Sequence, residues 1–209
     1  EMLRSLVGSE MCIRDRSYCP YGLQMQKAIL PVMELLKDKA DFSIKFVSYI
    51  MHDKKEIDEN NLQYCLEKEQ QDKFIPYLKC FTLSGNSSSC LKELKVNESK
   101  LNSCIVATDK KFGITAAYND KSTWLSGYYP LYPVHKDLNE KYGVKGSPTL
   151  VINGAQVQVA RSPEAVKQVV CAAFSEQPSE CSQTLSTASA VPSFGSGTTT
   201  GGTTAECGN

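Results

Sequence analysis

Leu23, Ile29, Leu30, Met33 and Leu36, with Gln and Lys between them, approximate a stripe of 3.6-residue period and predict a helix over 22–39. Pro31 falls inside it, where it removes a backbone donor and crowds the preceding turn, so a kink is expected. Phe42, Ile44 and Phe46 then alternate with Ser43 and Lys45, predicting a strand over 41–49 with one buried face. From 51 to 119 the pattern is charged and helical, with no strand-like alternation. Helices are predicted over 54–70, 72–81, 90–94 and 99–112, broken at Ser84-Gly85-Asn86 and at Val96-Asn97. A Tyr/Pro-rich connection, 128–133, leads to a short helix over 134–142. An apolar strand follows over 149–153, and the Asn153-Gly154 turn returns it over 156–160. The last helix is well marked. Ser162 can cap it, Pro163 suits its first position, Glu164 complements the dipole, and Ala165, Val166, Val169, Val170 and Phe174 form its core face. Beyond Pro178 the chain is rich in Ser, Thr and Gly, and 193–209 has no apolar period. A disordered tail is expected there.

Charge changes the picture by exclusion. Lys and Arg number 23, as do Asp and Glu, so the formal net charge is zero. Binding driven by phosphate charge needs a basic excess, so nucleic acid and membrane surfaces are poor candidate partners. The longest apolar runs are about six residues, as at 169–174, against the roughly 20 that span a bilayer. Nine cysteines are the strongest compositional signal. No two are separated by only two residues and the sole histidines are His52 and His135, so a structural zinc site is not expected. An oxidising compartment with paired thiols is the better reading. The sequons at Asn86 and Asn97 are compatible with export. Cys65, Cys80, Cys90 and Cys104 lie in the helical block and are expected to form two disulfides, three pairings being open. Cys171 is expected to pair with Cys181.

The first sixteen residues stand apart. The chain opens on Glu, and this segment has neither the apolar stretch nor the cleavage site of a signal peptide. Ser5 to Arg16 resembles translated sequencing-adapter sequence. Residues 1–16 are therefore expected to be an artefact or a disordered arm outside the fold, with Cys12 uncounted and one strand vacant before Cys19.

Two local features carry an identity. One is Cys19-Pro20-Tyr21-Gly22 at the start of the Pro-containing helix. The other is Gly143-Val144-Lys145-Gly146-Ser147-Pro148-Thr149, leading into Leu150-Val151-Ile152-Asn153-Gly154. Together they resemble the thioredoxin-fold superfamily, and the long helical insert resembles its DsbA-like oxidoreductases. The cysteine content is also similar to that of the gamma-interferon-inducible lysosomal thiol reductases. The resemblance spans about 17–176. It implies an α/β, thioredoxin-like fold with a helical, cysteine-rich insertion. It further implies a cis Pro148, a Ser147 that faces Cys19, and a Ser147-Pro148 segment that receives substrate in extended form. The expected organisation is 17–50 and 131–177 for the two parts of the thioredoxin-like domain, 51–130 for the insertion and 178–209 for the tail.

Physical chemistry points to the same cysteine. A sulfur at a helix N-terminus faces unpaired N–H groups and the positive end of the dipole, both of which favour thiolate, the attacking species in disulfide exchange. Cys19 is accordingly the expected catalytic residue. The superfamily's working unit is Cys-x-x-Cys, however, and Gly22 stands where the second cysteine belongs. A single thiol can attack, form a mixed disulfide and be released by an outside thiol, which suits reductase or isomerase action. It cannot store an internal disulfide. The expected function is thus thiol–disulfide exchange on protein or peptide substrates, extracytoplasmic, served by an external thiol partner and by no metal or organic cofactor. The rival is a redox-inactive peptide-binding or chaperone module that keeps the groove.

Cysteine parity leaves Cys207 alongside Cys19. The 26 residues from Cys181 to Cys207 would reach roughly 25–30 Å as free coil, so Cys207 could resolve Cys19, although a surface thiol or an intermolecular bridge is the favoured expectation. His52 and His135 are expected on the surface. Trp124, Tyr128, Tyr129 and Tyr132 could line a groove but are expected to serve packing.

Overall fold

The computed structural model describes residues 10–199, Ala205 and Cys207. Its main sheet has the order β2-β1-β3-β4. The strands are Glu10–Asp15 (β1), Asp41–Phe46 (β2), Thr149–Ile152 (β3) and Ala155–Val157 (β4). The crossover from β1 to β2 runs through Pro20–Leu35 (α1), and the two strands pair in parallel with Met11 opposite Phe42. A parallel pair needs such a crossover, whereas the antiparallel β3–β4 hairpin turns on two residues. Those are Asn153 (φ 47°) and Gly154 (φ 83°), the left-handed pair that a tight hairpin turn requires. β3 in turn lies antiparallel to β1, with Met11 opposite Ile152 and Arg14 opposite Thr149.

β1 fills the vacancy before Cys19, and this corrects the expectation that 1–16 lies outside the fold. Residues 11–16 are buried, Met11 and Ile13 belonging to the central core. Residues 1–9 lie outside the described residues. The strand fits its position unevenly. Arg14 is fully buried 5.4 Å from the Tyr142 ring centroid, and its Nε and Nη1 find no hydrogen-bond partner among the described residues. An apolar residue would serve there without the cost of burying a cation with two unsatisfied nitrogens.

α1 runs through Pro31 and buries Leu23, Met25, Ala28, Ile29, Leu30, Val32 and Met33. Pro163–Ala172 (α8) packs beside it, capped by Ser162, whose Oγ accepts the Ala165 N–H at 3.4 Å. Between β2 and β3 lies the insertion of Asp53–Glu69 (α2), Gln71–Ser84 (α3), Ser87–Glu93 (α4), Glu98–Phe112 (α5) and Ile114–Asn119 (α6). The two predicted breaks are caps. Gly85 ends α3 at φ 66°, and the Asn86 and Asn97 side chains accept N–H groups of α4 and α5. Cys65–Cys104 ties α2 to α5, Cys80–Cys90 ties α3 to α4, and Cys171–Cys181 ties α8 to the segment after it. Inside the insertion the buried Glu59 accepts from Tyr77, Ser87 and Gln63. Burial nevertheless pushes its carboxyl up to about 7. Ile57, Leu66, Phe74, Tyr77, Leu78 and Phe81 join the same core as the sheet and α1.

Two further expectations are corrected. His135 precedes the short helix Lys136–Lys141 (α7) and is buried, with Nδ1 accepting the Phe46 N–H at 3.0 Å; burial drives its pKa down to about 3. The segment after Pro178 is packed as far as it is described. Ser189–Ala190 (β5) pairs with Thr198–Thr199 (β6). The Lys27 ammonium donates to the carbonyls of Val191, Ser193 and Gly195 at 2.7, 2.8 and 3.1 Å, and Gln24 Nε2 donates to Ala190 O at 2.7 Å. Phe194 meets Tyr18 and Phe81 edge to face at 5.8 and 5.3 Å.

Candidate active site

Cys19 is the N-cap of α1, and Pro20 occupies the first helical turn, where its missing N–H costs nothing. The Cys19 Sγ accepts the Gly22 N–H at 3.3 Å, one of the unpaired donors that a helix start presents. The sulfur lies 3.4 Å from Ser147 O, and Cys19 is fully buried. The Ser147–Pro148 peptide is cis. The structure therefore brings together Cys19, Gly22, Ser147 and Pro148 from segments more than 120 residues apart in the sequence.

Beneath them sits Asp15. Its Oδ1 accepts the Ser147 hydroxyl at 2.6 Å and the Arg16 N–H at 2.7 Å, and its Oδ2 accepts Gln26 Nε2 at 2.6 Å. Full burial raises the carboxyl to about 6 despite those three donors. Asp15 also closes the Gly22 position. A Cβ built on Gly22 would lie 1.9 Å from Asp15 Oδ1, so a side chain in the second-cysteine place would force Asp15 to move.

The expectation of a lone reactive thiol is corrected. Cys19 is bonded to Cys207 across 188 residues of chain, so the site does hold an internal disulfide, and Cys207 is neither a surface thiol nor an intermolecular bridge. The backbone seats the same residue. Cys207 N donates to Ser147 O at 2.7 Å, and Ser147 N donates to Cys207 O at 3.4 Å, one antiparallel bridge on the residue before the cis proline. Arg16 Nη1 donates to Cys207 O at 2.7 Å, and Arg161 Nη2 donates to Ala205 O. Arg161 also lies 5.5 Å from the ring centroid of the partly exposed Tyr21.

The remaining candidates lie elsewhere. His52 pairs through Nδ1 with the buried Glu56 carboxylate at the start of α2. The Trp124 indole donates to Ala117 O and Tyr118 O. Tyr132 is buried with its hydroxyl on Asn61 Oδ1 at 2.8 Å, Tyr129 is half-buried, and Tyr128 is exposed. Asp15, Arg16 and Arg161 are the site residues that sequence reasoning missed. The first two were set aside with the N-terminal segment, and Arg161 carries no local signal.

No family model matches the chain, and no curated protein does. Solved structures do. Oxidised BdbD of Bacillus subtilis superposes with a TM-score of 0.50 at 20% identity, over 78% of this chain and 86% of that one. Oxidised DsbA of Mycobacterium tuberculosis gives 0.54 at 14% identity, over 82% and 86%. MdbA of Actinomyces oris, a thiol-disulfide oxidoreductase, gives 0.50 at 12%, over 83% of each chain. Likeness at such identities is a likeness of architecture: the chain has the DsbA-like thioredoxin fold with a helical insertion.

Proposed function

We propose that this protein carries out thiol–disulfide exchange of reductase or isomerase type on protein substrates, with Cys19 as the exchanging sulfur and Ser147-Pro148 as the dock. One observation carries the reading: a cysteine sulfur accepts a helix N-terminal N–H while touching the carbonyl before a cis proline. Once reduced, that sulfur is stabilised as thiolate by the dipole and the free N–H groups. It attacks a substrate disulfide in line, forms a mixed disulfide and expels the substrate's other sulfur as thiolate. A substrate thiol or an external thiol then attacks the mixed disulfide and frees Cys19. The four disulfides support an extracytoplasmic setting, since such bonds persist where the surroundings are oxidising.

The test is the alkylation rate of Cys19, released by mild reduction, as a function of pH, together with insulin reduction by the wild type and by Cys19→Ser. The expected midpoint lies well below the ordinary thiol value of about 8.5, and Cys19→Ser abolishes turnover. A second reading, a redox-inactive peptide-binding module, draws on the Ser147–Cys207 backbone pairing, which needs no sulfur chemistry. An ordinary alkylation profile with no insulin reduction would assign the protein to that class.

A further inference from the structure

The C-terminal segment enters the site in the manner of a ligand. Cys207 offers both its sulfur and its backbone, one to Cys19 and the other to Ser147. We infer that Cys207 is the second redox-active cysteine of the site, standing in for the one that Gly22 replaces, and that it is delivered to the dock as an intramolecular copy of an extended substrate. The inference rests on Cys19 being the exchange centre.

Three observations support it independently of any motif. First, position 22 is a glycine whose place is filled by the Asp15 carboxyl, so a partner sulfur for Cys19 comes from another part of the chain. Second, the approach is anchored. Lys27 and Gln24 on α1 hold the carbonyls of residues 190, 191, 193 and 195, and Ser193 N donates to Pro20 O at 3.0 Å, directly beside Cys19. Third, the anchoring shortens the tether. Thr199 is placed by pairing with Ser189, which leaves eight residues of chain to Cys207 rather than the 26 counted from Cys181. A link that short presents the thiol at an effective concentration in the millimolar range.

The exchange balances as a two-electron transfer. In the oxidising direction a substrate thiolate attacks Cys19 Sγ, the Cys19–Cys207 bond breaks, and Cys207 leaves as thiolate and vacates Ser147. The substrate's second thiolate attacks its own sulfur in the mixed disulfide and releases Cys19. The protein gains two electrons and two protons, and the substrate dithiol becomes a disulfide. In the reducing direction the Cys19 thiolate attacks the substrate disulfide, and Cys207 then attacks Cys19 Sγ and expels the substrate thiolate. A low-molecular-weight thiol or disulfide of the glutathione class returns the protein to its starting state.

The experiment equilibrates the full chain and its Cys207→Ser variant with a mixture of reduced and oxidised glutathione, total concentration well below millimolar. Acid quenching, alkylation and peptide mass mapping then read the state of Cys19. In the wild type, Cys19 is recovered bonded to Cys207, with at least tenfold less glutathione adduct than in the variant, where the adduct accumulates. Equal adduct in both proteins overturns the role of Cys207 and leaves Cys19 as the exchange centre. Absence of adduct in the variant overturns the reading of Cys19 itself. A synthetic peptide of residues 203–209 tests the docking. It captures Cys19 of the Cys207→Ser chain, and methylating the cysteine backbone nitrogen slows capture roughly two- to tenfold, the worth of one hydrogen bond. Equal rates for the two peptides overturn the backbone element of the inference.

Discussion

Two kinds of disulfide occupy this chain, and they differ in what each sulfur becomes when the bond opens. Cys80–Cys90 and Cys171–Cys181 each close ten residues and Cys65–Cys104 closes 39, whereas Cys19–Cys207 closes 188. By loop length alone the last would be the strongest staple, about 5 kcal/mol against about 3–4 for the others in the chain-entropy account. Local electrostatics points the other way. Cys65, Cys80 and Cys171 each sit in the C-terminal half of their helix, and Cys171 is in the last turn, where the dipole disfavours an anion. Cys65 and Cys104 are buried against the Thr108 hydroxyl. Cys19 alone caps a helix start. Separation along the chain measures how much a bond constrains the unfolded protein; the end of the helix on which a sulfur sits governs how readily that bond exchanges.

The largest expected effect tests the staples. Replacing Cys65 and Cys104 together by Ala costs about 4 kcal/mol in denaturant unfolding and leaves the pH profile of Cys19 alkylation where it was. A change in that profile would mean that the two kinds of bond are coupled. Graded reduction comes next. The Cys19–Cys207 bond opens first, with an equilibrium roughly tenfold more favourable than that of Cys171–Cys181, the worth of the helix start to an anion at Cys19. Simultaneous opening by mass mapping would erase the distinction. Arg14→Leu touches neither kind of bond. By replacing a buried cation with two unsatisfied nitrogens by an apolar residue it raises stability by about 1–3 kcal/mol, and a destabilised variant would show that the Tyr142 ring contact outweighs that cost. The smallest effect is kinetic. Lys27→Met removes three donors from the final segment and slows closure of Cys19–Cys207 by roughly two- to fivefold while the other three disulfides form unchanged, as rapid-quench alkylation would record.

The elements that depend on their own side chains were legible. α1, α8 and the insertion helices carry their periods and caps in sequence, and the β3–β4 hairpin carries its Asn-Gly turn. The glycine-to-proline run before β3 led to Ser147 and Pro148 because it resembles a known pattern, and Cys19 followed from its place before a helix. What stayed hidden depends on partners far along the chain. The last segment is held through its carbonyls by Lys27, Gln24 and Arg161, and every residue type has a carbonyl, so Ser/Thr/Gly composition says nothing of it. His135 is buried because the Phe46 N–H needs an acceptor, a demand set by β2. β1 was missed because residues 1–16 were set aside for their resemblance to adapter sequence, although Met11 and Ile13 alternate as a strand with one buried face would.

The crowding at Gly22 has a practical side for anyone redesigning this protein. Changing Gly22 alone to supply a second thiol there would displace Asp15, because the new carbon would meet a carboxyl held by Ser147, Arg16 and Gln26. A second substitution at the end of β1 relieves that contact, and it removes the acid beneath Ser147.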